Sequence, residues 1–170
     1  MALSSSVSLE TLLGDWRRLL TDWALSGRLT AAALDALQLK NEPHPLTLLV
    51  DQLSKGNYSG LPPIVSLTSK SISGAFGAFS KTTGNIYLNG DWIKVADRKS
   101  SLGVLTEELG HYLDNLLKKD DTTGDEGAIF SRLLHGNGRL SPQERAALNA
   151  TNDNISIVAN GRILQAEASQ

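Results

Sequence analysis

The chain contains no cysteine. Disulfides and thiolate ligands are therefore excluded, and any metal must be held by carboxylate and imidazole. Imidazole is itself scarce, confined to His44, His111 and His135. No apolar run approaches the roughly 18 residues of a membrane span, so no spanning segment is expected. A net charge of −2 offers no positive field for nucleic acid, and that class of partner is not expected either. The opening stretch MALSSSVSLE has no basic region followed by an apolar one, so it predicts no Sec-type signal peptide. The lack of cysteine suits the cytoplasm, and suits equally a protein exported without such a signal. Internal repeats and low-complexity segments are also lacking.

What is present is an ordinary soluble composition, 41% hydrophobic and 20% charged, in a chain of 170 residues that can bury a real core. Leu9, Leu12, Leu13, Trp16, Leu19, Leu20 and Trp23 recur at three- and four-residue spacings. That pattern predicts an amphipathic helix over 8–25, with Ser8 at its N-cap. A second helix is expected over 31–39, capped by Thr30, and a third over 46–53 after Asn41–Pro45. The character then changes. Ile64–Leu67, Ala75–Phe79 and Asn85–Asn89 read as strands, the last two as a hairpin across Lys81–Gly84. Helices follow over 101–117, capped by Ser100 or Ser101, and over 126–134. Ser141-Pro142-Gln143-Glu144 starts another helix. Asn160-Gly161 joins two final strands, Ile155–Ala159 and Arg162–Gln165, as a hairpin. The order implies an α+β fold. It divides into a helical segment over 1–55, a core over 56–140, and a helix plus hairpin over 141–170, together one compact domain.

The chemistry concentrates between Glu107 and Glu126, which hold seven of the 18 acidic residues with His111 among them. Glu107, Glu108 and His111 spell E-E-x-x-H. Glu107 and His111, at i and i+4, lie on one helix face. In isolation such a pattern is a solvated face. Here Val104, Leu105, Leu109, Tyr112, Leu113, Leu116 and Leu117 wrap most of the helix, which marks it as buried. Buried carboxylates must be paired or bind a metal. Gly110 costs about 1 kcal/mol relative to alanine within a helix, and permits close approach of another backbone. Glu126 opens the next helix, where an Asp-Glu pair suits the helix dipole and can also carry a further ligand back to His111. Asp114, one turn after His111, can orient the imidazole or hold the acidic loop. Asp120 and Asp121 lack the spacing of an EF-hand. His44, between two prolines, is expected in an exposed loop, and His135 suits a helix C-terminus.

These residues resemble the zincin metallopeptidases, in particular the gluzincin branch and its anthrax lethal factor-type catalytic domain. The likeness runs over roughly residues 64–134. It matches Asn85–Asn89 to the strand before the motif helix, Glu107–Asp114 to the motif H-E-x-G-H-x-x-D, and Asp125–Phe130 to the glutamate segment E-x-x-F. It implies His111 and Glu126 as metal ligands, Glu108 as general base, and Glu107 in the place of the first histidine. It also implies a substrate-binding strand edge carrying Asn85 and Tyr87. Zinc is the metal it implies. With carboxylate replacing one imidazole, the donor set is harder and favours manganese, iron(II) or calcium more than the usual set does. The chain is also similar to domains of large cyanobacterial proteins that carry calcium-binding RTX repeats. That likeness implies type I secretion and neighbouring domains in a larger protein. The expected activity is metal-dependent cleavage of a peptide or protein substrate. The alternative is a degenerate zincin without catalysis, with or without metal, acting as a docking or processing module. A helical interaction domain built on the Trp16/Trp23 face is a third possibility.

Overall fold

The computed structural model describes residues 8–118 and 124–170. The Asp120–Asp121 segment lies outside them. Three helices come first: α1 (Leu9–Ser26), α2 (Arg28–Ala36) and α3 (His44–Ser54). Ser8 caps α1 by accepting from the Thr11 amide. Gly27, with φ 81°, ends α1 and immediately starts α2. That left-handed turn is why the second helix begins before Thr30 rather than at it. His44 is the first, exposed residue of α3 rather than part of a loop.

The strands β1 (Ile64–Leu67), β2 (Gly77–Ser80) and β3 (Asn85–Asn89) follow, then a short α4 (Gly90–Ile93). The long α5 spans Arg98–Leu117, and Asp97 rather than a serine caps it, accepting from the Ser100 amide. After α6 (Glu126–His135) and α7 (Pro142–Asn149) comes the terminal hairpin of β4 (Asn154–Ala159) and β5 (Arg162–Ser169). The fold is α+β. One mixed sheet has the order β1-β3-β2-β5-β4, with β1 parallel to β3 and the other pairs antiparallel.

Strand alternation divides the core in two. Phe79, Ile86 and Leu88 face the helices, where they join Trp16, Leu20, Leu105, Leu109 and Phe130. Ala78 and Tyr87 face the other way, against Ile72, Ile157, Leu164, Ala166 and Ala168. The free strand edge expected on Asn85–Asn89 does not exist. β1 occupies one side of β3 and β2 the other. A substrate strand cannot add there, because the backbone groups it would need are already in the ladder.

The helices α5 and α6 cross where Gly110 meets Gly127. A Cβ on Gly110 would stand 2.8 Å from the Gly127 Cα, and one on Gly127 would stand 2.5 Å from the Glu107 carbonyl oxygen. Two glycines at the crossing bring the start of α6 directly onto the motif helix. Among the described residues, no helix is long and apolar enough to cross a membrane.

A candidate metal centre

His111 is completely buried, and its two ring nitrogens meet different carboxylates. Nδ1 stands 3.0 Å from Glu126 Oε1 and 3.3 Å from Glu167 Oε2. A neutral ring has one N–H, and the shorter bond assigns it to Nδ1 and Glu126. Glu167 Oε2 is then buried without a hydrogen-bond partner. Nε2 faces Asp153 Oδ2 at 3.4 Å and Asp125 Oδ1 at 3.6 Å, and it too has no hydrogen-bond partner. Asp125 reaches this position as the N-cap of α6, where it also accepts from the Ala128 amide.

Two sets of ligand-capable atoms therefore share the imidazole. Glu107, His111 and Asp125 form one, and His111, Glu126 and Glu167 the other, each with its atoms within 4.8 Å of one another. All three sequence-derived candidates, Glu107, His111 and Glu126, are brought to the same place, but Glu107 and Glu126 belong to different sets. Asp125 stands with Glu107, where Glu126 was expected. Consecutive residues at a helix start point to different sides, so the Asp-Glu pair serves both nitrogens.

Glu108 lies on the sheet side of α5 and is fully buried. Ser169 donates a hydrogen bond to its Oε1 at 2.5 Å, while Oε2 has no partner. Gly77 leaves the room for it: a Cβ there would meet Glu108 Cγ at 3.2 Å and Val104 Cγ1 at 2.7 Å. Glu107, by contrast, opens on a cleft of about 940 Å³, as do Asp125 and Asp153. Phe76 and Trp92, stacked with centroids 4.4 Å apart, also line this cleft.

Electrostatics follow from packing acids together out of water. Burial, reinforced by Asp125 and opposed by His111, lifts the Glu107 carboxyl to about 7. Burial raises Glu108 well above the carboxylate range, and raises Glu126 against the pull of His111. It lifts Asp153 to about 6. Burial disfavours the His111 imidazolium, but Glu126 and Glu167 beside Nδ1, with the charge of Glu108, outweigh it and hold its pKa well above the usual value. Among the described residues, the cluster is short of positive charge: Glu107, Glu108, Asp125, Glu126, Asp153 and Glu167 surround one imidazole, and Lys81 stands 3.7 Å from Glu167. Protons or a cation must make up the difference.

The remaining candidates fall elsewhere. Tyr87 is buried in the second core, its hydroxyl 3.0 Å from Thr83 Oγ1 and 3.5 Å from Asn85 Nδ2. Neither Tyr87 nor Asn85 lines the cleft. His135 does line it, with Nε2 2.9 Å from Thr106 Oγ1 and its ring edge-on to Trp23. Asp114 is buried and its charge acts on Glu126. Asp153, Glu167 and Ser169 were not anticipated. The alternation Leu164-Gln-Ala-Glu-Ala-Ser169 carries the signal for two of them, since apolar residues at every second position extend the strand beyond Gln165. Asp153, in the loop Thr151–Asp153, has no such signal.

The chain matches no protein-family profile, no curated protein and no solved structure. Its class is therefore stated from its own geometry: an α+β domain with a buried carboxylate–imidazole cluster beside an open cleft.

Proposed function

We propose that this chain is a zincin-like domain that binds a divalent cation at His111 and uses its cleft for metal-dependent peptide hydrolysis. One observation carries the cation site. A buried His111 Nε2 with no hydrogen-bond partner faces the carboxylates of Asp125 and Asp153 at the cleft. The surroundings fit an ion. Gly127 leaves space that a Cβ would fill, 2.6 Å from Nε2. Glu107, His111 and Asp125 would hold the cation. The donors suit zinc and, more than two imidazoles would, manganese, iron(II) and calcium. Bound there, the cation would supply Lewis-acid polarisation of a carbonyl and a more acidic water.

The protein's own groups prepare the site. By accepting a hydrogen bond from Nδ1–H, Glu126 selects the neutral tautomer whose Nε2 lone pair is free for a cation and fixes the ring's orientation. The open cleft would admit an extended peptide or protein segment, and the stacked Phe76 and Trp92 offer it an apolar wall. In the base role implied by the resemblance, Glu108 would take a proton from water.

One observation favours a non-catalytic role instead. Glu108 is sealed from the cleft, with Ser169 donating to it. In that arrangement it cannot accept a proton from a water in the cleft, and the domain would bind cation as a docking or processing module of a larger secreted protein.

The test is metal analysis of protein purified without chelator or His-tag, with thermal unfolding before and after EDTA. Bound metal together with peptide cleavage that Glu108→Gln abolishes supports the peptidase. Metal-dependent stability without cleavage supports the module. Absence of metal, with melting indifferent to added cations, overturns the cation site itself.

A further inference from the structure

Three separate segments meet at His111. The motif helix brings Glu107 and the histidine, and the start of α6 brings Asp125 and Glu126. The third segment is the terminal hairpin. Asp153 lies immediately before β4, and Glu167 lies within β5. The pleat explains why Glu167 points here. It is opposite Phe79 in the register, and Ser169 is opposite Gly77, so both share the helix-facing side while Ala168 pairs with Ala78 on the other.

We propose that Asp153 completes the Nε2-side cation site from the terminal hairpin, while Glu167 stands beside Glu126 on the Nδ1 side, so that a bound divalent cation latches β4–β5 onto the helical body. This rests on the cation site proposed above. Asp153 Oδ2 and Glu167 Oε2 are both buried without hydrogen-bond partners, at 3.4 and 3.3 Å from the two ring nitrogens. A buried carboxylate oxygen in that condition is an acceptor without a hydrogen-bond donor to satisfy it, free to ligate a cation.

The joint is also the place where a latch would act. Within the hairpin, β4 and β5 pair at six positions, Asn154↔Glu167 through Ala159↔Arg162. Against the rest of the sheet, β5 pairs at three, Gly77↔Ser169, Ala78↔Ala168 and Phe79↔Glu167. By strand pairing the hairpin is held more extensively to itself than to the rest of the sheet, with Val158 N–H donating to the Ser71 carbonyl oxygen and Ser73 Oγ to the Ser156 carbonyl oxygen as further ties. Ala168 N–H donates to the Asp153 carbonyl oxygen at 2.8 Å, so Asp153 and β5 belong to one unit. Docking that unit carries Asp153 and Glu167 against Glu107, Asp125 and Glu126, which opposes closure when no cation is present. A cation held by Glu107, His111, Asp125 and Asp153 reverses the sign. Its binding energy then becomes docking energy, because the complete ligand set exists only in the closed arrangement.

The experiment is hydrogen exchange on the full chain in EDTA and with Zn²⁺, Mn²⁺ or Ca²⁺ added singly, beside calorimetric titration of the same cations. The latch expects amides over 155–168 to exchange about tenfold or more slowly once the cation is bound, with a smaller change in α1–α3. Asp153→Asn, which preserves shape, should weaken binding by about tenfold or more and abolish that gain in protection. Stoichiometric binding without slowing in the hairpin would overturn the latch and leave the cation site standing, and so would undiminished affinity in Asp153→Asn. Failure of all three cations to bind would overturn both.

Discussion

Replacing Gly110 with alanine tests whether the crossing of α5 and α6 sets the site. Alanine in a helix interior is favoured over glycine by about 1 kcal/mol, so propensity alone makes the change stabilising. The structure opposes this. The new Cβ would lie 2.8 Å from the Gly127 Cα and 3.1 Å from Phe130 Cβ, against an optimum of about 3.5–4.0 Å between carbons. Backbone on the far side cannot rotate away, so α6 must retreat by roughly 0.7–1.2 Å, and overpacking of this kind costs about 1–3 kcal/mol. Gly14, in α1, supplies the control, since a Cβ there meets nothing within 4 Å. Both replacements gain the same propensity, so the difference between them isolates the steric cost, about 1–3 kcal/mol. For a domain of this size each kcal/mol is worth roughly 2–4 °C in Tm. Thermal and urea unfolding in EDTA should therefore show Gly14→Ala above the wild type and Gly110→Ala below Gly14→Ala by about 2–12 °C. Equal stability of the two variants would refute the close-packed crossing. Because α6 carries Asp125 and Glu126, Gly110→Ala should also weaken any metal-dependent stabilisation.

Gly127→Ala should do so more severely, because its Cβ would stand 2.6 Å from His111 Nε2; retention of metal-dependent melting in that variant would argue against Nε2 as a ligand. Ser169→Ala leaves Glu108 Oε1 without its donor and should cost about 1–3 kcal/mol, with Ser169→Thr restoring much of it in urea titrations. For the metal-free protein, the raised carboxyls Glu107 (about 7) and Asp153 (about 6) bind protons in the folded state that the unfolded chain has released. Stability in EDTA should therefore be highest below about pH 4 on these groups' account and fall as pH rises through about 6 to 7; His111, also raised, acts in the same direction. A urea midpoint that climbs between about pH 5 and pH 8 in EDTA would contradict this assignment, whereas added cation should stabilise more at the higher pH because its ligands must lose protons. Glu107→His should raise zinc affinity in calorimetric titration, since imidazole competes better for zinc than carboxylate in a mixed site; weaker zinc binding would remove Glu107 from the ligand set.

The sequence by itself determined the local elements and the helix that carries the chemistry. Ser8 caps α1, Asn85–Asn89 is a strand, Ser141-Pro142 starts α7, and Glu107, Glu108 and His111 lie on one buried helix. All of these depend on residues within about four positions of one another, where periodicity and capping act. The approach of Glu126 to His111 was legible as well, because only a short connection separates two helices and Gly110 marks their crossing. Tertiary structure alone decided the rest. Parallel pairing of β1 with β3 closed the edge where a substrate strand was expected, and strand neighbours far apart in sequence leave no local trace. It also turned Tyr87 into the second core, split Glu107 and Glu126 between two ligand sets, and capped Glu108 with Ser169. Most of all, it brought Asp153 and Glu167 to an imidazole some forty and more residues earlier in the chain. Charges that repel across such a distance in sequence meet only because the sheet register and the glycine crossing hold them there, and that is a property of packing rather than of pattern.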